Sequence, residues 1–151
     1  MWITLTSDDL KGRLSKPELD RIPQAARAVG ITPDQIVASA LAEVSREIRG
    51  YCAVRFPLGP AGTIPDELEG AALALVRRVL FGRLPGLEDL FGQIRQNEVK
   101  DALALLVQVA AGKFQIVAPT SPAPESQQAG PAGPSISKRE RNFKLEDQDG
   151  I

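Results

Sequence analysis

Thr32-Pro33-Asp34-Gln35-Ile36-Val37-Ala38-Ser39-Ala40-Leu41-Ala42-Glu43-Val44-Ser45-Arg46-Glu47-Ile48-Arg49-Gly50-Tyr51-Cys52-Ala53-Val54-Arg55-Phe56-Pro57-Leu58 decides the fold. Thr32 offers a capping oxygen, Pro33 is preset for the first helical position, and Asp34 suits the positive end of the helix dipole. From there Ile36, Val37, Ala40, Leu41, Val44, Ile48 and Tyr51 or Cys52 recur at three- and four-residue steps. Glu43, Arg46, Glu47 and Arg49 cover other faces and read as a solvated helix surface. The helix runs through Gly50 and Tyr51 to a stop at Pro57, so its end gathers Tyr51, Arg55 and Phe56 at one helix-to-loop corner.

Upstream, Ser7-Asp8-Asp9-Leu10 reads as an N-cap with acids in the first turn of a short helix. Ser15-Lys16-Pro17 interrupts it and opens another, with Pro17 and Glu18 in its first turn and Leu19, Ile22 and Ala26 facing the core. Pro23 puts that helix's continuity in doubt, and Gly30 is its expected stop.

Downstream, residues 57–65 hold too many prolines and glycines for a regular element. A helix follows, with Pro65 or Asp66 in its first turn, running to about Leu80. Its inner positions are Leu68, Ala71, Ala72, Leu75, Val76, Val79 and Leu80, and its alanines allow close approach to the preceding helix. Residues 81–86 read as a break and 87–91 as one turn. A further helix spans about 93–111 on a stripe of Ile94, Val99, Ala102, Leu103, Leu106, Val109 and Ala110, and Gly112 ends it. Residues 114–117 alternate like a short strand. The expected class is all-α: a small helical bundle with a short C-terminal strand-like segment and an extended C-terminal arm.

Residues 118–134 then hold five prolines, two glycines and a single charge, Glu125, which is linker composition. Seventeen such residues span roughly 50 Å as polyproline, or about 23 Å as a coil. The last segment, 135–151, is basic first (Lys138, Arg139, Arg141, Lys144) and acidic last (Glu146, Asp147, Asp149), with Phe143 and Leu145 at the change of sign. That pattern suits a peptide that docks on a partner as well as it suits a free tail. The chain therefore divides into a helical domain over 1–117, a linker over 118–134 and a charged docking tail over 135–151.

Composition narrows the chemistry. The 151 residues are 43% hydrophobic and 5% aromatic, enough for one modest core, and none is histidine. Histidine triads and histidine metal sites are thereby excluded. The single Cys52 has no partner for a disulfide or a thiolate metal cluster and reads as a buried structural thiol. No nucleophile beside a base, no carboxylate pair and no phosphate cradle has diagnostic spacing. Gly59-Pro60-Ala61-Gly62-Thr63 resembles a phosphate loop only superficially, because it lacks the lysine and a preceding strand. No catalytic residue, cofactor or metal ligand is assigned, and the chain is not expected to be an enzyme. With 18 basic and 19 acidic residues, the net charge of −1 gives no global pull toward nucleic acid or anionic lipid. The start of the chain lacks a basic leader with an apolar run, so synthesis in the cytoplasm is expected, without membrane spans.

Arg77 and Arg78, with Arg83 past Phe81-Gly82, form the clearest basic group. They can contact phosphate, or pair with Glu67, Glu69 or a neighbouring chain's carboxylates; the balance of 14 basic and 14 acidic residues over 1–117 favours pairing.

The order of landmarks resembles the small helical head-to-tail connector proteins of tailed phages, including the Mu-like family. The residues that carry the resemblance are Ile48, Gly50-Tyr51 and Arg55-Phe56-Pro57-Leu58, then Ile64-Pro65, Leu68, Arg77-Arg78 and Leu80-Phe81-Gly82-Arg83, and finally Gly112-Lys113-Phe114-Gln115-Ile116-Val117. A weaker echo lies in Arg139, Arg141, Phe143 and Leu145, while the proline-rich linker and acidic ending depart from the family's pattern. The resemblance implies a structural adaptor in the virion neck. Copies would form a closed ring, dodecameric by that resemblance, joining the portal protein to a tail, stopper or terminator protein and continuing the DNA channel without sequence-specific binding. Contact residues are then expected among Tyr51, Arg55, Phe56, Pro57, Arg77, Arg78 and Arg83, and in the tail at Arg139, Arg141, Phe143 and Leu145. Tyr51 and Phe56 read rather as ordinary core aromatics when taken residue by residue. Two rivals are a nucleic-acid-binding helical regulator, which lacks a basic recognition helix, and a small enzyme using Cys52 or unpaired carboxylates.

Overall fold

The computed structural model describes residues 1–121, and the expected linker beyond Ser121 and the tail lie outside the described residues. The chain opens with strand β1 (Trp2–Thr4), then helices α1 (Ser7–Arg13), α2 (Lys16–Ala28) and α3 (Pro33–Ala53). Strand β2 (Thr63–Pro65), a 3-10 turn (Asp66–Leu68) and helix α4 (Glu69–Arg83) follow, and a second 3-10 turn (Glu88–Leu90) leads into α5 (Gln93–Ala110). The helical architecture is the one expected.

Caps set the helix starts. Thr6, one residue before the expected Ser7, caps α1: its hydroxyl accepts from the Asp9 amide at 3.3 Å, and its own amide donates to Asp9 Oδ2 at 2.8 Å. Such a reciprocal pair satisfies two donors that the helix itself leaves open. Ser15 and Glu18 build the same device on α2, with the Ser15 amide 2.6 Å from Glu18 Oε2. The α2 helix continues through Pro23, which removes only the donor to the Leu19 carbonyl, on a turn where Leu19 is 38% exposed rather than inward as expected. Gly30, at φ 75°, ends this segment in the left-handed region, with the Ile31 amide closing back on Ala26 O at 3.0 Å. Thr32 makes no side-chain cap on α3; its hydroxyl meets the Gln35 side chain instead.

Helix α3 buries Ile36, Ala40, Leu41, Val44, Ile48 and Cys52 of the expected stripe, with Val37 half-buried and the unexpected Ser45 buried beside them. Helix α4 differs from expectation. Six consecutive residues from Ala72 to Arg77 are buried, along with Leu80 and Phe81, because α4 packs between α3 and α5 and is covered on nearly every side. It also runs to Arg83 through Gly82, past the break expected at 81. Phe81 is held edge-to-face on Phe91 with ring centroids 5.6 Å apart, and the Leu84 amide still reaches Leu80 O at 3.0 Å. Tertiary packing thus outweighs the roughly 1 kcal/mol helix penalty of glycine.

The two strands pair antiparallel, Trp2 opposite Pro65, Ile3 opposite Ile64 and Thr4 opposite Thr63. Residues 114–117 join no ladder. The Phe114 amide is taken by Gln108 O in the α5 cap, the Val117 amide donates to Glu67 Oε1 at 3.1 Å, and the Val117 carbonyl accepts from Trp2 Nε1 at 3.0 Å. Its alternation is nonetheless real burial, since Ile116 lies in the core and Phe114 against it.

Candidate functional site

Three constellations organise the polar chemistry. The first is a chain of four alternating charges between helices. Glu18 on α2 is 2% exposed, and Arg95 on α5 grips it with two bonds, Nε to Oε1 at 3.1 Å and Nη2 to Oε2 at 2.8 Å. Arg95 Nη1 also reaches both Glu98 oxygens, at 3.2 and 3.1 Å. Arg77 on α4 pairs with Glu98 and donates to the Arg13 carbonyl at the end of α1 at 2.8 Å. Burial alone would push the Glu18 carboxyl up, but the Ser15 amide and hydroxyl and the Arg95 guanidinium more than offset it and hold it below the ordinary carboxylate value. Burial, helped by the like charge of Arg95, draws Arg77 down.

The second constellation centres on Arg49. Its guanidinium collects three carbonyls of the 59–63 loop, Pro60 and Thr63 at 2.8 Å and Gly59 at 3.1 Å, and lies 5.9 Å from the Trp2 ring centroid. The loop that resembles a phosphate cradle therefore turns acceptors toward a cation, the opposite polarity from one that holds an anion. Trp2 lies flat on Gly59, where a Cβ would come within 2.6 Å of the ring.

The third is the corner at residues 51–58. Tyr51 and Phe56 are half-buried against the core, and the Phe56 amide closes on Cys52 O at 2.9 Å. Pro57 is exposed, as is Arg55, whose Nε reaches the Ala110 carbonyl at 3.4 Å and so ties the end of α3 to the end of α5. Val54 stands out at this corner at 63% exposure, and Val107 on α5 is likewise exposed at 58%. Cys52 is fully buried, and burial pushes its thiol up to about 11.

The expected contact residues thus separate. Tyr51, Arg55, Phe56 and Pro57 come together at one corner. Arg77 is spent inside the fold, Arg78 reaches Glu47 at 3.6 Å, and Arg83 binds Ser39 Oγ at 3.0 Å and the Glu43 carboxylate. Carboxylate pairing is the favoured reading of these arginines, but the partners are Glu98, Glu47 and Glu43 of the same chain rather than Glu67, Glu69 or a neighbouring chain's acids. Glu43 and Glu47 are accordingly ion-pair partners rather than only a solvated face. Arg139, Arg141, Phe143 and Leu145 lie outside the described residues. Sequence reading missed Arg49, Arg95 and Trp2; the spacing of Ser15 and Glu18 was the one local sign that a carboxylate there is held in place.

Such an arrangement defines a small helical domain centred on α4 and locked by an N-terminal ribbon. Within the described residues no helix is long and apolar enough to cross a membrane. The family model described as "Bacteriophage Mu, Gp36" matches residues 5–132, and the chain belongs to that family of bacteriophage proteins. Among curated proteins and solved structures no match is found.

Proposed function

We propose that the chain is a head-to-tail connector, an adaptor whose copies close into a ring between portal and tail and continue the DNA channel. The observation that carries this reading is the corner where Arg55 bridges the end of α3 to the end of α5 while Val54 stays exposed beside Tyr51, Phe56 and Pro57. Isolated apolar residues are common on surfaces, but one beside an exposed arginine and two half-buried aromatics matches the aromatic and arginine enrichment of contact patches. A ring needs one such patch meeting a different patch on the next copy around a closed axis. Membership of a phage family supports the virion setting.

The charge arrangement supports passage of DNA rather than its recognition. Arg77, Arg78 and Arg83 are each engaged by carboxylates of the same chain, leaving them little capacity to grip phosphates. Native mass spectrometry and electron microscopy of the protein mixed with its phage's portal protein test the proposal. A ring seated on the portal is expected. A protein that stays monomeric with portal and tail components at micromolar concentrations overturns it, as does tight base-dependent binding to duplex DNA.

A further inference from the structure

A groove of about 740 Å³ runs between the start of the chain, α3 and the 61–62 turn. Leu5, Val37, Leu41 and Ala42 contribute an apolar surface, and Arg46 and Arg49 stand one helical turn apart along its side. Its volume falls in the range of clefts that enclose a ligand of several side chains, about 300–1,000 Å³.

Two features indicate what fills it. Among the described residues neither arginine has a carboxylate partner: Arg46 Nε bonds only the Ala42 carbonyl at 3.3 Å, and Arg49 only carbonyls. The groove therefore carries more positive charge than the single acid lining it, Asp34, can balance. The second is where the described chain ends. Val117 is bonded to Trp2, whose ring Arg49 covers, so the 34 residues that follow Val117 depart from beside an arginine of the groove. They include Phe143 and Leu145, whose two-residue spacing would turn both side chains the same way if the segment were extended, followed by Glu146, Asp147 and Asp149. As a coil, the 22 residues from Ser121 to Phe143 span about 25 Å, ample for this return.

We propose that the groove seats the chain's own C-terminal segment, with Phe143 and Leu145 on the apolar floor and Glu146 and Asp147 against Arg46 and Arg49. Apolar contact supplies the anchor, and the ion pairs fix the direction of the peptide. The seat is a property of the single chain and stands whether or not copies form a ring.

Paramagnetic broadening in the full chain tests it. A nitroxide is attached at Gln148→Cys; the native Cys52, buried with a thiol pushed up to about 11, does not compete for the label. Amide signals of Val37, Leu41, Ala42 and Gly62 are expected to lose more than half their intensity, while Ile94 and Val107 on α5 keep theirs. The loss should survive tenfold dilution, fall at least threefold with Arg46→Glu, and return when Arg46→Glu is combined with Glu146→Lys and Asp147→Lys. Absent or evenly spread broadening overturns the proposal, and so does broadening confined to another surface. Broadening of an isotope-labelled chain by a separate spin-labelled copy would assign the groove to a neighbour's tail and overturn the own-chain seat. Arg46 is exposed and ends no structural network, so its variant remains folded; a groove signal unchanged by Arg46→Glu overturns the ion pairing.

Discussion

Arg95 holds Glu18 across 77 residues of sequence through two nearly parallel bonds, making a carboxylate with 2% exposure the polar junction between α2 and α5. Around that pair, Glu98 and Arg77 extend the network to α4 and to the end of α1. Four helices are thus fixed relative to one another by charges whose sum is zero.

Removing one member should leave its partner charged and dry. Arg95→Met is expected to cost about 3–5 kcal/mol, the usual penalty for stranding a buried ion. Urea unfolding of the variant beside the parent measures it. A loss below about 1 kcal/mol would mean that water reaches Glu18 freely.

The same carboxylate sets a pH dependence. Glu18 titrates lower in the folded chain than its ordinary value of 4.5, so its contribution is fully present above about 4.5 and is lost as pH falls through the lowered value. Asp9, held down by the Thr6 hydroxyl and amide, acts in the same direction. Stability followed by urea midpoint from pH 7 to 2.5 should decline below pH 4.5, and the decline should be shallower in Glu18→Gln, whose stability is lower but less dependent on acid.

Gly59→Ala places a methyl within 2.6 Å of a ring that cannot easily yield, since Trp2 is pinned by Val117 and covered by Arg49. The expected cost is about 1–3 kcal/mol, typical of overpacking. Because Trp2 is the only tryptophan, its emission maximum should also shift to longer wavelength as the ring is displaced toward solvent.

Val54→Asp tests the contact corner, and Val107→Asp tests the exposed apolar side chain of α5. Both side chains are mostly exposed, so stability should change by no more than about 0.5 kcal/mol in thermal unfolding. Ring formation on the portal should drop at least tenfold, because a charge at the centre of a dry contact is left without a partner. Normal assembly by both variants would move the subunit contact elsewhere on the surface.

The sequence revealed most where a pattern repeats locally. The inward stripes of α3 and of α5 from Val99 onward follow their periodicity, whereas Ile94, expected inward, is 76% exposed in the first turn of α5; Gly30 and Gly112 stop helices where their placement predicts, both at positive φ. Helix α4 was half legible: a helix covered on nearly every side shows only a narrow polar face, so Leu73 and Ala74 could not be told from outward residues. The ribbon escaped because three residues are too few for alternation to show, and because β2 follows a loop of prolines and glycines. At the corner, Tyr51 to Pro57 could be singled out by composition and family likeness, yet Arg49 could not. Its partners are backbone carbonyls, which carry no mark in the sequence.

The Trp2 to Val117 hydrogen bond closes a loop of 115 residues, and the ribbon it buttresses joins residues more than 50 apart. During synthesis, then, the helices can form as they emerge, but the lock at the chain's start must wait until residue 117 has left the ribosome. A ribosome-stalled chain ending in mid-α5 already holds both strands of the ribbon and lacks only the Val117 clasp on Trp2, so the end of the domain secures its beginning last.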